Sequence, residues 1–202
     1  MGKWFPRWYD ALMEPLERRG IRNIRIRLLQ KAWGNVLEIG SGTGLNFPYY
    51  EQVEQVTAID PEPLMVKQSM QRAEQAHVPI RVRRAEAEAL PFADNLFDTA
   101  VGTLVLCTVP DPNKALAEIR RVCKPGAPVL FFEHVRLEHP LLGRLQDGLT
   151  PVWKRLCDGC HLNRNTLEQI QRAGFKTTVV EPHYKGIFLV IEAVNEKDIG
   201  KQ

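Results

Sequence analysis

The 202-residue chain has no run of apolar residues long enough to cross a bilayer. Its longest runs, such as Ala127–Phe132 and Ile187–Ile191, have the length of a single strand. No charged start leads into an apolar stretch and a small-residue cleavage site, so secretion is not expected. Cysteine is scarce. Four residues outside any small secreted framework are expected to be thiols in a reducing cytosol, which makes the expected location cytoplasmic. Excess charge is scarce too: 27 Lys and Arg against 24 Asp and Glu leave +3, too little to argue for a nucleic-acid partner. No repeat, low-complexity tract or Gly/Ser linker divides the chain. What is present is globular, with 44% hydrophobic and 25% charged residues. One domain of this size buries about 70% of its unfolded surface, enough for a core without metals or disulfides.

From Asn35 onward, short β-rich runs alternate with helical ones. Strands are expected at Val36–Ile39, Val56–Asp60, Ile80–Arg83, Phe97–Gly102, Val129–Val135, Gly174–Val180 and Ile187–Val194. Helices are expected from near Glu62 to about Ala76, from about Pro112 to Cys123, and over Asn163–Ala173, with a turn at Pro125–Gly126. This alternation predicts an α/β unit over 35–202, a seven-stranded and mostly parallel sheet with helices on both faces. Ligands then sit at the strand C-termini. The last two strands are joined by a short loop, so one of them should run antiparallel.

Residues 1–34 read as a helical extension. Trp4, Phe5, Trp8, Tyr9, Leu12, Met13 and Leu16 fall at helical spacing, and Pro15 is expected to break or restart that helix. Beyond it, Arg18, Arg19, Arg22, Arg25, Arg27 and Lys31 interleave with Ile21, Ile24, Leu28 and Leu29. Two readings stand side by side. One packs the helices on the sheet edge as an aromatic lid, with Tyr9 nearest the ligand. The other is a weak contact with an anionic membrane surface.

The most informative segment is Val36-Leu37-Glu38-Ile39-Gly40-Ser41-Gly42-Thr43-Gly44. A strand runs straight into glycines at alternate positions, where the backbone can approach a ligand and adopt positive φ. A dinucleotide site wants G-x-G-x-x-G; here the third glycine comes one position early, and Leu45 stands where it should be. Glu38 beside the loop would repel a pyrophosphate and suits a cationic amine. Asp60 ends the second strand twenty residues beyond Gly40, the spacing at which a carboxylate accepts hydrogen bonds from both hydroxyls of a ribose. Together these residues imply an adenosine-type ligand with a positive amino group and no phosphates.

On these residues the sequence resembles the class I S-adenosylmethionine-dependent methyltransferases, over nearly its whole length. The resemblance makes Glu38 to Gly44 the first cofactor motif, Asp60 the ribose acid, and Glu86-Ala87 the adenine contact, although the family more often has Asp at position 86. It implies S-adenosylmethionine as cofactor and a Rossmann-like fold. Its expected cofactor contacts are Tyr9, Glu38, Gly40, Ser41, Gly42, Gly44, Asn46, Asp60, Pro61, Met65, Glu86, Ala87, Thr103 and Leu104. More narrowly, Thr103-Leu104-Val105-Leu106-Cys107, Phe132-Glu133-His134-Val135 and Cys157-Asp158-Gly159-Cys160 resemble the thiol S-methyltransferase branch. That branch has a long apolar N-terminal anchor, and attachment of this kind is not expected from residues 1–34.

The expected reaction is methyl transfer to a small, fairly apolar acceptor, with a thiol ahead of a quinol, a phenol or a phospholipid headgroup. A non-catalytic cofactor-binding partner subunit is the alternative of a different class. His134, at a strand end on the ligand rim, is a candidate base or orienting group and equally a strand-end cap. Asp158, after an inserted helix, reaches the pocket or caps the next helix. Cys157-Asp158-Gly159-Cys160-His161 matches the c-type haem pattern, which the cytosolic setting argues against. Zinc is not expected, because Cys107 and Cys123 form no second close pair. Nucleic-acid methylation is disfavoured, since the loop after the fourth strand is not of the Asp-Pro-Pro-Tyr type and no reading module fits in the chain. The partner is then a small molecule, and the protein a monomer or dimer.

Overall fold

A computed structural model describes residues 5–157 and 159–197. Its centre is a seven-stranded sheet in the order β3-β2-β1-β4-β5-β7-β6. The strands are β1 (Gly34–Ile39), β2 (Val53–Asp60), β3 (Ile80–Arg84), β4 (Thr99–Thr103), β5 (Pro128–His134), β6 (Phe175–His183) and β7 (Phe188–Asn195). The first five run parallel, and β7 is antiparallel to both neighbours. The reversal of order on either side of β1 makes the C-terminal ends of β1 and β4 the crevice of the fold.

The helices are α1 (Phe5–Leu16), α2 (Arg22–Leu29), α3 (Pro63–Ala73), α4 (Pro112–Val122), α5 (Pro140–Leu156) and α6 (Thr166–Arg172). Local chemistry fixes their starts. Asp111 caps α4, its carboxylate accepting from the amides of Asn113 and Lys114 at 3.1 and 3.2 Å, with Pro112 at the first helical position, where no N–H is needed. Glu62 and Pro63 do the same for α3.

Two cores flank the sheet. On one face Leu37, Ile39, Ala100 and Phe131 pack against Leu116, Ile119 and Val122 of α4 and Ile170 of α6. On the other, Val36, Val101, Leu130 and Phe132 pack against Ile21, Ile24, Leu28 and Leu29. The N-terminal helices are therefore not confined to the sheet edge: α2 covers its middle strands.

Pro15 does not break the chain. It lies inside the last turn of α1, and the direction changes later, in a π-helical turn over Glu17–Ile21, where Gly20 takes φ +126°. A proline near a helix end forfeits one hydrogen bond, whereas only glycine enters that backbone region without strain. Phe97, expected in the fourth strand, forms an isolated bridge to Cys123 outside β4. Among the described residues, no helix is long and apolar enough to cross a membrane.

Candidate active site

The pleat sends alternate side chains to opposite faces. Since Leu37 and Ile39 face α4, Val36 and Glu38 face α2. The same period carries Thr103 on β4 and His134 on β5 to the α2 side. Glu38 is there almost fully buried. Its Oε1 accepts from Asn46 Nδ2 at 3.1 Å and its Oε2 from the Tyr50 hydroxyl at 2.6 Å. Burial pushes its pKa up to about 7, against the pull of these two bonds and of Arg25.

Arg25 is the residue that spacing did not single out. It is 2% exposed. Its Nε donates to Glu17 at 2.9 Å, and its Nη1 donates to Asn46 Oδ1 at 2.9 Å and to Thr103 Oγ1 at 2.8 Å. Thr103 Oγ1 also accepts from Asn46 Nδ2 at 3.1 Å, so both partners donate to it and its own hydrogen is left for a ligand. The signal was present, since Arg25 stands four residues from both Ile21 and Leu29, on the apolar face of its helix.

These side chains wall a small open cavity lined by Tyr9, Arg25, Gly40, Ser41, Gly42, Leu45, Asn46 and Thr103. The glycine loop forms its floor. A Cβ on Gly40 would fall 2.1 Å from Val105 Cγ2, so packing excludes any side chain there. Gly42 takes φ +54°, yet a Cβ on it would meet nothing within 4 Å. The space beside it is open to a ligand. Ser41 Oγ is buried without a hydrogen-bond partner. Asp60 Oδ2 accepts from the Gly42 amide and Oδ1 from the Glu62 amide, both at 2.9 Å.

α1 is clasped over the loop. Asp10 Oδ1 accepts from the Thr43 hydroxyl at 2.6 Å and Oδ2 from Arg72 Nη2 at 2.7 Å, while Arg72 Nη1 donates to Thr43 O at 2.7 Å. This places Tyr9 on the cavity, where burial pushes its pKa up to about 12. Trp8 faces solvent, and Trp4 lies outside the described residues.

Beyond Thr103 the loop carries Leu104 at φ +56°, a left-handed position occupied by a branched side chain. Glu133 holds the next turn, its Oε1 accepting from the amides of Val105 and Leu106 at 3.1 and 3.0 Å, and burial raises its pKa to about 8. Cys107 is buried, and its carbonyl accepts from the His161 amide at 2.8 Å. The Cys107 thiol donates to Leu104 O at 3.5 Å, and the neighbouring thiols shift one another, the pKa of Cys107 up and that of Cys160 down. His134 packs edge-on against Phe188, with ring centroids 5.5 Å apart. Its Nδ1 is buried without a partner, and burial lowers its pKa to about 4.

The cavity thus gathers Tyr9, Gly40, Ser41, Gly42, Asn46 and Thr103 of the expected set, with Asp60 tied to it through Gly42. Glu38 stands one layer back, behind Asn46. Gly44 is fixed by packing, since a Cβ there would lie 2.7 Å from the Phe47 ring. Pro61, Met65, Glu86 and Ala87 follow Asp60 along the sheet end, with Met65 and Ala87 buried and Glu86 exposed. The Ala85 amide bonds Asp60 O, which sets that segment beside β2. Leu104 and His134 do not line the cavity. Leu106 is fully buried in the core. Asp158 lies outside the described residues.

An orphaned serine hydroxyl, an open glycine cradle, an acid at the end of β2 and a buried arginine fit a nucleoside with a zwitterionic tail. Such a ligand suits a Rossmann-like group-transfer fold. Comparison with known proteins agrees. Residues 37–131 match the family model described as "Methyltransferase domain". Thiol S-methyltransferase TMT1B of Homo sapiens is 38% identical over 190 residues, covering 88% of this chain and 78% of that protein. TMT1B of Rattus norvegicus is 41% identical over 150 residues, 72% of this chain; the match spans 62% of the rat protein's length. A solved S-adenosylmethionine-dependent methyltransferase of Thermotoga maritima, titled a possible histamine N-methyltransferase, superposes with TM-score 0.69 at 22% identity, over 95% of this chain and 98% of that one. The chain belongs to the class I S-adenosylmethionine-dependent methyltransferases and is an enzyme of that class, with S-adenosylmethionine as its cofactor.

Proposed function

We propose that the acceptor is a small apolar molecule carrying a thiol. The observation that carries this reading is that the strand-end histidine packs edge-on against Phe188 with its buried Nδ1 unpartnered, so no carboxylate there makes it a base. Desolvation leaves His134 with a pKa of about 4, so it is neutral at pH 7 and holds a proton poorly. A phenol or quinol with a pKa near 10 needs help to ionise; a thiol near 8.5 already supplies some thiolate. The loop after β4 supports the same choice, since the guanidinium beside it, Arg164, is spent on the carbonyls of Val109 and Leu106. The relatives named thiol S-methyltransferases point the same way.

The cofactor, when bound, supplies an electrophilic methyl group on a sulfonium. The chain's own part is to hold and position. Asp60 is placed to accept from a ribose diol, Arg25 to meet a carboxylate, and Asn46 with Glu38 behind it to favour an ammonium. Ser41 Oγ and the Thr103 hydroxyl stand ready as further partners. Tyr9 and α1 close the cavity against water, which favours a displacement whose charge is cancelled as it proceeds.

The test is methyl transfer from labelled cofactor to an alkyl thiol, a phenol, a quinol and phosphatidylethanolamine, each across a pH series. The thiol should react, its rate rising with the thiolate fraction, and His134→Ala should leave that rate within about threefold. Inert thiols beside a methylated quinol or phosphatidylethanolamine would refute the assignment.

A further inference from the structure

We propose that α5 docks the protein onto an anionic lipid surface and holds the acceptor side of the site against it. This helix is amphipathic the wrong way round for a monomer. The residues it buries are the small Gly143 and Thr150. Leu142, Leu145, Leu149, Val152 and Leu156, spaced alternately three and four residues apart, are instead 47% to 59% exposed. Such spacing puts them in one continuous stripe. A stripe of five large apolar side chains along seventeen residues exceeds the scattered surface leucines of ordinary monomers.

Charge selects the occupant. α5 also carries Arg144, Lys154 and Arg155, which form no ion pair among the described residues. Its one acid, Asp147, is taken by Arg136, with bonds of 3.1 and 2.9 Å, and by Asn163 at 3.0 Å. Two copies packed stripe to stripe about a two-fold axis would confront cations with their own kind, and no acid on the helix is left to relieve them. Phosphate-bearing lipid headgroups meet the same cations with opposite charge while the stripe enters the acyl boundary.

Position gives the contact its meaning. The turn after α5 is tied to the loop that follows β4, at the ligand end of the sheet, because the His161 amide donates to Cys107 O at 2.8 Å. A docked α5 therefore sets that loop at the lipid boundary, where apolar molecules concentrate. This last step rests on the proposed acceptor class; the docking itself does not.

Cosedimentation of the full chain with vesicles tests the docking without acceptor or cofactor, so its failure is separate from a failure of the thiol reading. The protein should pellet several-fold more with vesicles of phosphatidylcholine and phosphatidylglycerol than with phosphatidylcholine alone. Leu145→Glu/Leu149→Glu should lower partitioning at least tenfold. Lys154→Glu/Arg155→Glu, which leaves the stripe intact, should abolish the preference for anionic vesicles; thermal melts show whether both variants fold. The proposal is overturned if the intact chain ignores both vesicles, or if the two double variants bind as it does. It is also overturned if sedimentation velocity shows a dimer that Leu145→Glu/Leu149→Glu dissolves while no vesicle binding is seen.

Discussion

Arg25 sits where water cannot reach it, so its charge is tolerable only because oxygens surround it. Glu17, Asn46 and Thr103 supply them within 2.9 Å. A buried pair of this kind adds little net stability, yet removing one partner strands the other and costs about 3–5 kcal/mol. Arg25→Ala should therefore lower the melting temperature as well as cofactor affinity. Asp60→Ala is the cleaner probe. It removes an acceptor for the ribose hydroxyls and should weaken S-adenosylmethionine binding by roughly 2–3 kcal/mol in calorimetry. An unchanged affinity would remove Asp60 from the cofactor site. Glu38 gives a pH signature. Its pKa of about 7 in the free protein means that it is largely protonated at pH 6. A ligand with net charge +1 beside Asn46 favours the carboxylate form, so binding expels a proton below pH 7. Affinity should rise from pH 6 to about 7 and then level off. Glu38→Gln should flatten that rise; a slope that survives the substitution assigns the proton to another group.

At the scale of elements, α1 works as a strap: hinged at Gly20, clasped by Asp10 to Thr43 and Arg72, and presenting Tyr9 to the cavity. Removing residues 1–16 takes away both Tyr9 and the clasp but leaves α2 in the core. Turnover should be lost while far-UV circular dichroism stays that of a folded sheet. Full activity in the truncated chain would show that α1 is packing alone. Gly20→Ala should destabilise by about 1–3 kcal/mol, because φ is +126° and the new Cβ would lie 3.0 Å from the Tyr184 hydroxyl. Much of this architecture could be read from residues. Hydrophobic runs of strand length separated by helical periods give the sheet, and Gly40, Gly42 and Asp60 mark its ligand end. What could not be read are the contacts between distant segments. Arg25 looks like its solvated neighbours until its place on the apolar face is weighed. Asp10, Thr43 and Arg72 come together only when α1, the loop and α3 are assembled. α5 is hidden for another reason: Gly143, Gly148 and Pro151 stand between the stripe positions, and residues of these types ordinarily argue against a helix.

For the molecule as a whole, two acids and two histidines set how stability follows pH between 4.5 and 8, and their signs differ. His134 has a folded pKa of about 4, below its ordinary 6.5, so its contribution is present above pH 6.5 and is lost as pH falls toward 4. Glu38 and Glu133 are raised from 4.5 to about 7 and about 8. Their contribution is present below pH 4.5 and is lost as pH rises through the folded values. His161 is also lowered from 6.5, by burial and by Arg164 and Lys154, and adds to the histidine side. Between pH 4.5 and 6.5 the two carboxyl protons of the folded chain are offset by the two imidazolium protons of the unfolded one, so stability changes little. Above 6.5 the unfolded histidines no longer offset the acids, and stability falls until Glu38 and Glu133 have ionised. The ligand-free protein should therefore be more stable at pH 5.5 than at pH 8 by a few kcal/mol, the reverse of the usual behaviour of a chain rich in paired carboxylates. Glu133 makes the point testable in isolation. Its Oε2 has no hydrogen-bond partner, so ionisation leaves a bare buried oxygen, whereas Glu133→Gln keeps an acceptor for the Val105 and Leu106 amides without the charge. Thermal melts of the two proteins from pH 5 to 8.5 should converge at the acid end and diverge above pH 7, with the variant losing less. A wild-type melting temperature that is flat or rising across that interval would mean that Glu133 and Glu38 are ionised in the folded protein throughout.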